Sequence, residues 1–184
     1  IGRRRVLPAL RSLAEVSSLA VASHTGPVSD LDAELELFED DETAITRSGA
    51  DLAYVSLANS DHARWAERAL SQGMHVIVDK PAFITLGDAH RLARLARLKG
   101  RCLAEATVFA FHPQVDAARR AIEEAATKVT RVSAVFSFPP FDSSDFRYRR
   151  DLGGGVLWDV GPYVVATSRL FFGKKPDRVA CEVV

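Results

Sequence analysis

Three stretches of this 184-residue sequence bring together residue types that proton chemistry uses. LGGGVLWDVGPY, from Leu152 to Tyr163, runs three glycines into an apolar segment that carries Asp159 and, four residues later, Tyr163. On a helix, positions i and i+4 share a face, so a carboxylate and a phenol would point the same way. MHVIVDKP places Asp79, Lys80 and Pro81 directly after an apolar run. DLAYVSLANSDH leaves a second apolar run and delivers Asn59 and His62 at the start of a helical pattern. A phenol is a weak acid near neutral pH unless a nearby cation favours its anion.

Such groups act together only if the fold converges them. The chain alternates helical and strand patterns. The spacing of Val6, Leu7, Leu10, Leu13 and Ala14 predicts a first helix, with Pro8 tolerable near its first turn. SSLAVAS predicts a buried strand ending at Ser23, followed by a polar turn and a short helix over 26–34. ETAITRSG reads as a short helix, DLAYVSL as a strand, and ANSDHARWAERALSQG as a loop and helix stopped by Gly73. MHVIVDK is a strand, TLGDAHRLARLARLKG an amphipathic helix, and RCLAEATVFAF a strand. Apolar strands separated by helices predict a doubly wound parallel sheet, an α/β domain over 1–111. Residues 112–184 read as the start of a second α/β domain: a helix over HPQVDAARRAIEEA, a period-two strand over VTRVSAVFSFP, a polar loop, the glycine stretch and a last strand, DRVACEVV.

In a doubly wound sheet, ligands bind at the carboxyl ends of the strands, and dinucleotides at the first strand-to-helix turn. That location favours Asn59, His62, Asp79 and Lys80. Gly2 fits the end of a glycine-rich phosphate turn. At the end of the next strand an acidic residue usually grips the ribose of NAD, but this chain has Ser23 and His24. A hydroxyl and an imidazole suit a 2′-phosphate, which favours NADP over NAD.

The 24 basic and 24 acidic side chains cancel, so charge gives no argument for nucleic acid or an anionic membrane. No apolar run approaches a bilayer span. Cys102 and Cys181 read as free thiols, which suits the cytoplasm. No His/Cys/Asp cluster has metal-ligand spacing, and no nucleophile elbow or P-loop is present. The chain begins abruptly at Ile1, and both ends read as cut.

NSDHARWAERALSQGMHVIVDKP, EATVFAFHPQ and LGGGVLWDVGPY, in this order, resemble the glucose–fructose oxidoreductase/inositol dehydrogenase (Gfo/Idh/MocA) family over nearly the whole chain. The resemblance implies an N-terminal Rossmann domain holding NAD(P), and a C-terminal α/β domain that carries a sugar-like substrate and often the interface of a homo-oligomer. Lys80 matches the lysine of the family's Glu-Lys-Pro motif, with Asp79 in place of the glutamate. Leu57, Asn59 and His62 match positions on the cofactor side. Tyr163 stands where many members have histidine, as in the branch of nucleotide-sugar ketoreductases and dihydrodiol dehydrogenases. In this reading the glycines bring a helix start close to the cofactor. Tyr163 is then the general acid/base for the oxygen of a carbinol whose carbon gains or loses hydride. Lys80 supplies the cation, and Asp159 orients Lys80 or the substrate. Arg147 and Arg149 would face a substrate phosphate or form a solvated loop. The expected function is hydride transfer between nicotinamide and a sugar, nucleotide sugar or cyclic polyol. The alternatives are a dinucleotide sensor without catalysis and a truncated, inactive fragment.

Overall fold

The computed structural model describes residues 2–23 and 35–182. His24, the short helix expected over 26–34 and the last two positions of the expected final strand lie outside the described residues. The chain forms two compact units: Ile1–Ala106 with Asp151–Gly153, and Thr107–Arg150 with Gly154–Val184.

In the first unit a π-helical turn, Gly2–Val6, leads into helix α1, Leu7–Arg11, with Pro8 just past the junction between the two. Strands β1 (Ala20–Ala22) and β2 (Glu36–Phe38) form one parallel ladder. Strands β3 (Leu52–Val55), β4 (His75–Val78) and β5 (Leu103–Glu105) form a second, in the order β3-β4-β5, also parallel. The sheet expected from the sequence is thus all-parallel but stands as two ladders, because no described strand joins β1 to β3. β2 was not legible: Leu35–Phe38 alternates leucine with glutamate in a mostly charged stretch.

Helix α2, Asp41–Arg47, is capped by Asp40, whose carboxylate accepts from the Thr43 amide at 2.7 Å. Arg68 of helix α3, His62–Ser71, reaches Glu42 of α2 through two guanidinium nitrogens. Helix α4, Leu86–Lys99, is capped by Thr85 at its start and by Gly100, at φ 63°, at its end. The core lies where α3 and α4 cover β4. Val76 and Val78 point into it, beside Trp65, Ala69 and Leu70 of α3 and Leu92 and Ala96 of α4. These positions repeat with period two on the strand and three to four on the helices, the pattern of elements buried on one side.

The second unit contains a 3₁₀ turn, Val108–Phe111, and helices α5 (Pro113–Glu124) and α6 (Val156–Phe172). The amide of Gln114 donates to the ring of His112 at the start of α5. Gly173, at φ 68°, closes α6. The strands expected over 129–139 and from 177 onward are absent among the described residues. An extended segment becomes a strand only when a partner takes its backbone groups, and no described segment does so here. Val135 stands 93% exposed, while Phe136 lies instead against α6. Val115 is the only apolar side chain fully in a core in this unit, among the described residues.

Among the described residues, the buried apolar cluster lies in the first unit. Leu92 is wholly buried in it, and Leu92→Ala is expected to cost about 2–5 kcal/mol through lost transfer energy and a residual cavity. Urea denaturation followed by circular dichroism checks this.

Candidate active site

The carboxyl ends of β3, β4 and β5 collect the polar side chains of the first unit. Register sets which of them meet. Tyr54 pairs with Ile77 and Val55 with Val78, so one step beyond the ladder Ser56 stands beside Asp79. The Asp79 amide continues the ladder by donating to the Val55 carbonyl at 2.9 Å. Side chains alternate faces, so Tyr54, Ser56 and Asp79 share the face opposite the buried Val55 and Val78. There the Tyr54 hydroxyl donates to Asp79 Oδ1 at 2.5 Å and the Ser56 hydroxyl to Oδ2 at 2.6 Å. Hydrogen bonds to a charged acceptor contribute about 1.5–3 kcal/mol each. Burial, and then the bond to Asp79, push the Tyr54 hydroxyl well above its ordinary range, so it stays a donor.

The chain beyond Lys80 is tied as well. His62 is wholly buried, with Nδ1 at 2.9 Å from the Pro81 carbonyl and Nε2 at 3.1 Å from the Leu57 carbonyl. A carbonyl only accepts, so the ring donates to at least one of the two loops it links. The Ala82 amide donates to Glu105 Oε2 at 2.9 Å, at the end of β5. Lys80 itself is half-buried, in a segment held from β3, α3 and β5. Gly2 lies against Ser56: a Cβ on it would stand 3.7 Å from the Ser56 side chain.

The glycines of LGGGVLWDVGPY have separate duties. Asn59 is buried and donates from Nδ2 to the Gly153 carbonyl at 2.9 Å, while the Ser60 amide donates to the Leu152 carbonyl at 3.2 Å. Gly153 sits at φ 75°, where a Cβ would come within 2.8 Å of the Asn59 Cβ. Gly154 belongs to the second unit. A Cβ there would meet the carbonyl oxygens of Phe146, Arg147 and Arg149 at 2.5, 2.6 and 2.7 Å. The amides of Gly154 and Gly155 donate to the Arg149 and Arg147 carbonyls at 2.9 and 2.8 Å. The turn folds back on the loop before it, and only residues without side chains permit that approach.

In the second unit Asp159 and Tyr163 stand one turn apart on α6. The Asp159 carboxylate accepts from Arg147 Nε at 3.1 Å. Arg147 Nη1 donates to Asp145 at 3.1 Å, and the Phe141 and Phe146 rings lie 4.7 Å from the guanidinium carbon. The Tyr163 ring stacks on Phe136 at 4.7 Å and 7°, with Phe109 tilted against it at 5.5 Å.

Residues 5–107 match the profile of the Gfo/Idh/MocA oxidoreductase family with its NAD-binding Rossmann fold, and residues 115–184 match the Gfo/Idh/MocA C-terminal domain. The chain belongs to this family. A dTDP-3,4-didehydro-2,6-dideoxy-alpha-D-glucose 3-reductase of Streptomyces violaceoruber is 36% identical over 179 residues, which cover 95% of this chain and 52% of that protein. A D-xylose 1-dehydrogenase (NADP(+)) of Haloferax volcanii is 32% identical, over 97% of this chain and 56% of its own length. The crystal structure of KijD10, a 3-ketoreductase from Actinomadura kijaniata in complex with NADP and TDP-benzene, superposes with a TM-score of 0.85 at 34% identity, over 93% of this chain and 54% of KijD10. The chain spans about half the length of the relatives it matches.

Within the family fold, the residues singled out in the sequence fall into three groups. Asp79, Lys80, Leu57, Asn59 and His62 gather at one strand-end cluster in the first unit, and Gly2 adjoins it through Ser56. Asp159, Tyr163 and Arg147 lie in the second, where Arg147 is committed to two carboxylates and two rings and Arg149 is exposed. Ser23 follows β1, half-buried. His62 is wholly buried and joins two loops. Tyr54, Ser56 and Glu105 were missed. A signal existed for two of them: hydroxyls at i and i+2 on a strand read as buried share a face with the next strand's Asp79.

The close packing of Gly154 gives a direct test. Gly154→Ala forces a Cβ onto three carbonyls and is expected to lose about 1–3 kcal/mol or more. Gly49→Ala meets nothing within 4 Å and bears only its positive φ of 66°, a cost of about 1 kcal/mol. Chemical denaturation of the two variants side by side should rank them in that order.

Proposed function

We propose that the protein is an NADP-dependent oxidoreductase that interconverts a carbinol and a ketone on a sugar, with a nucleotide-linked sugar as the preferred substrate class. The observation that carries this reading is the strand-end segment Asp79-Lys80-Pro81, which presents a lysine from a backbone tied on both sides. The residues suit a dinucleotide. Gly2 opens the first helical turn without a side chain beside Ser56, at the edge where Asp79 and Lys80 emerge, and the carboxyl ends of parallel strands are where such cofactors bind. Ser23 and His24, in place of a carboxylate, favour the 2′-phosphate of NADP. The NADP named with KijD10 and with the xylose dehydrogenase supports the same choice.

NADPH, when bound, supplies the hydride. This chain's own residues handle the oxygen. Lys80 stabilises negative charge that develops on it, and Tyr163 gives or takes its proton. Phe136 and Phe109 hold the Tyr163 ring. Asp159, bonded to Arg147, fixes the helix start on the loop before it. Arg149 is exposed, and a guanidinium suits a substrate phosphate. The dTDP-sugar reductase likeness supports a nucleotide sugar over a free one. Exposed Val135, Phe138 and Phe141 in the second unit support self-association there. The free thiols Cys102 and Cys181 suit the cytoplasm.

Titration of the full-length protein with NADPH and NADH, followed by nicotinamide fluorescence, is expected to show tighter binding of NADPH. Turnover of a dTDP-linked keto sugar should then fall about 10²–10⁴-fold in Tyr163→Phe, with NADPH binding unchanged. Unchanged turnover in that variant removes Tyr163 from the chemistry.

A further inference from the structure

Asp79 stands beside the lysine on which the proposed reaction depends, and both its oxygens are engaged from the neighbouring strand. Tyr54 OH and Ser56 Oγ approach different oxygens, at 2.5 and 2.6 Å. Both donors stand on β3 or one residue beyond it, a strand the buried core holds from its other face through Val55. The carboxylate is thus a bridge between a rigid strand and the residue preceding Lys80. Two bonds to two oxygens fix the rotation of the carboxylate as well as its position, which a single bond does not. On the far side of Lys80, the His62 contact with the Pro81 carbonyl and the Glu105 contact with the Ala82 amide hold the outgoing chain. The backbone of Lys80 has hydrogen-bonded neighbours before and after it, and the side chain leaves from a fixed base.

We propose that Tyr54 and Ser56 are positioning residues for Lys80: their hydroxyls lock the Asp79 carboxylate and so set the place and direction from which the Lys80 ammonium works. The proposal rests on the oxidoreductase reading for the use made of Lys80, but its geometric content stands apart from catalysis. Neither hydroxyl touches the substrate in this account. A catalytic site needs its groups held within a fraction of an ångström, and supporting hydrogen bonds supply that constraint.

The experiment uses the full-length protein. Its lysines are reductively methylated with ¹³C-formaldehyde, and the Lys80 dimethylamine signal is assigned by its loss in Lys80→Arg. Wild type is compared with Tyr54→Phe, Ser56→Ala, the double variant and Ser56→Thr, and unlabelled samples are assayed in parallel for NADPH binding, kcat and KM. The expected result is a Lys80 signal separate from those of surface lysines in wild type and Ser56→Thr, merging with them in the double variant. kcat of the double variant falls at least about tenfold, with KM and the NADPH dissociation constant within about threefold of wild type, and Ser56→Thr stays within about threefold in kcat. An unchanged Lys80 signal with unchanged kcat in the double variant overturns the proposal. So does a loss of kcat that follows melting temperature and is shared by Ser56→Thr. If the Lys80 signal moves as expected but the wild type fails to oxidise NADPH with every keto sugar supplied, the positioning role is supported and the oxidoreductase reading fails.

Discussion

A half-buried carboxylate at the end of a parallel strand must find partners, because leaving it without them costs more than most single interactions contribute. Asp79 finds them on β3, and the consequences run through the first unit. The β3–β4 register is what brings them together: with Val55 opposite Val78, Ser56 and Tyr54 fall on the side of Asp79. A slip of β3 by one residue would turn both hydroxyls into the core and Val55 out of it. The hydrophobic contacts of Val76 and Val78 with α3 and α4 therefore hold the polar face in register as well as closing the core. Stability and site geometry have the same origin here. The apolar face of β4 fixes the strand, and its polar face spends that rigidity on presenting Lys80.

The glycine stretch solves a similar problem by different means. Its carbonyls at Leu152 and Gly153 accept hydrogen bonds from the Asn59–Ser60 loop, while Gly154 and Gly155 donate back to the loop over 147–149. Consecutive residues thus serve the two compact units in turn, and at Gly153 and Gly154 there is no room for a Cβ. Downstream, α6 carries Asp159 and Tyr163 from a start that Arg147 fastens through Asp159. Arg147 is sandwiched by rings and bonded to two carboxylates, so it organises the loop.

Much of this was legible in the sequence. The strands that lead to Asn59 and Lys80 were visible from the apolar runs DLAYVSL and MHVIVDK, and the helices α3 and α4 from their periodicity and stops. The three motifs in order carry the family's signature in the sequence itself. What was hidden depends on partners distant in sequence. β2 is too charged to read as a strand until β1 pairs with it. The 129–139 segment has the alternation of a strand but no described neighbour to complete it. The bridge from Tyr54 and Ser56 to Asp79 spans more than twenty residues, and only the register shows it. His62 reads as a cofactor-side residue by position, and its burial between two loop carbonyls was not legible.

The account turns on Lys80 being offered to the nicotinamide from a fixed base. A crystal structure of the full-length protein with NADPH bound tests this most directly. The account predicts the nicotinamide ring beside the Lys80 ammonium, with the Tyr54 and Ser56 hydroxyls still on the two oxygens of Asp79. A nicotinamide bound away from Lys80, or an Asp79 carboxylate that has left both hydroxyls, would contradict it.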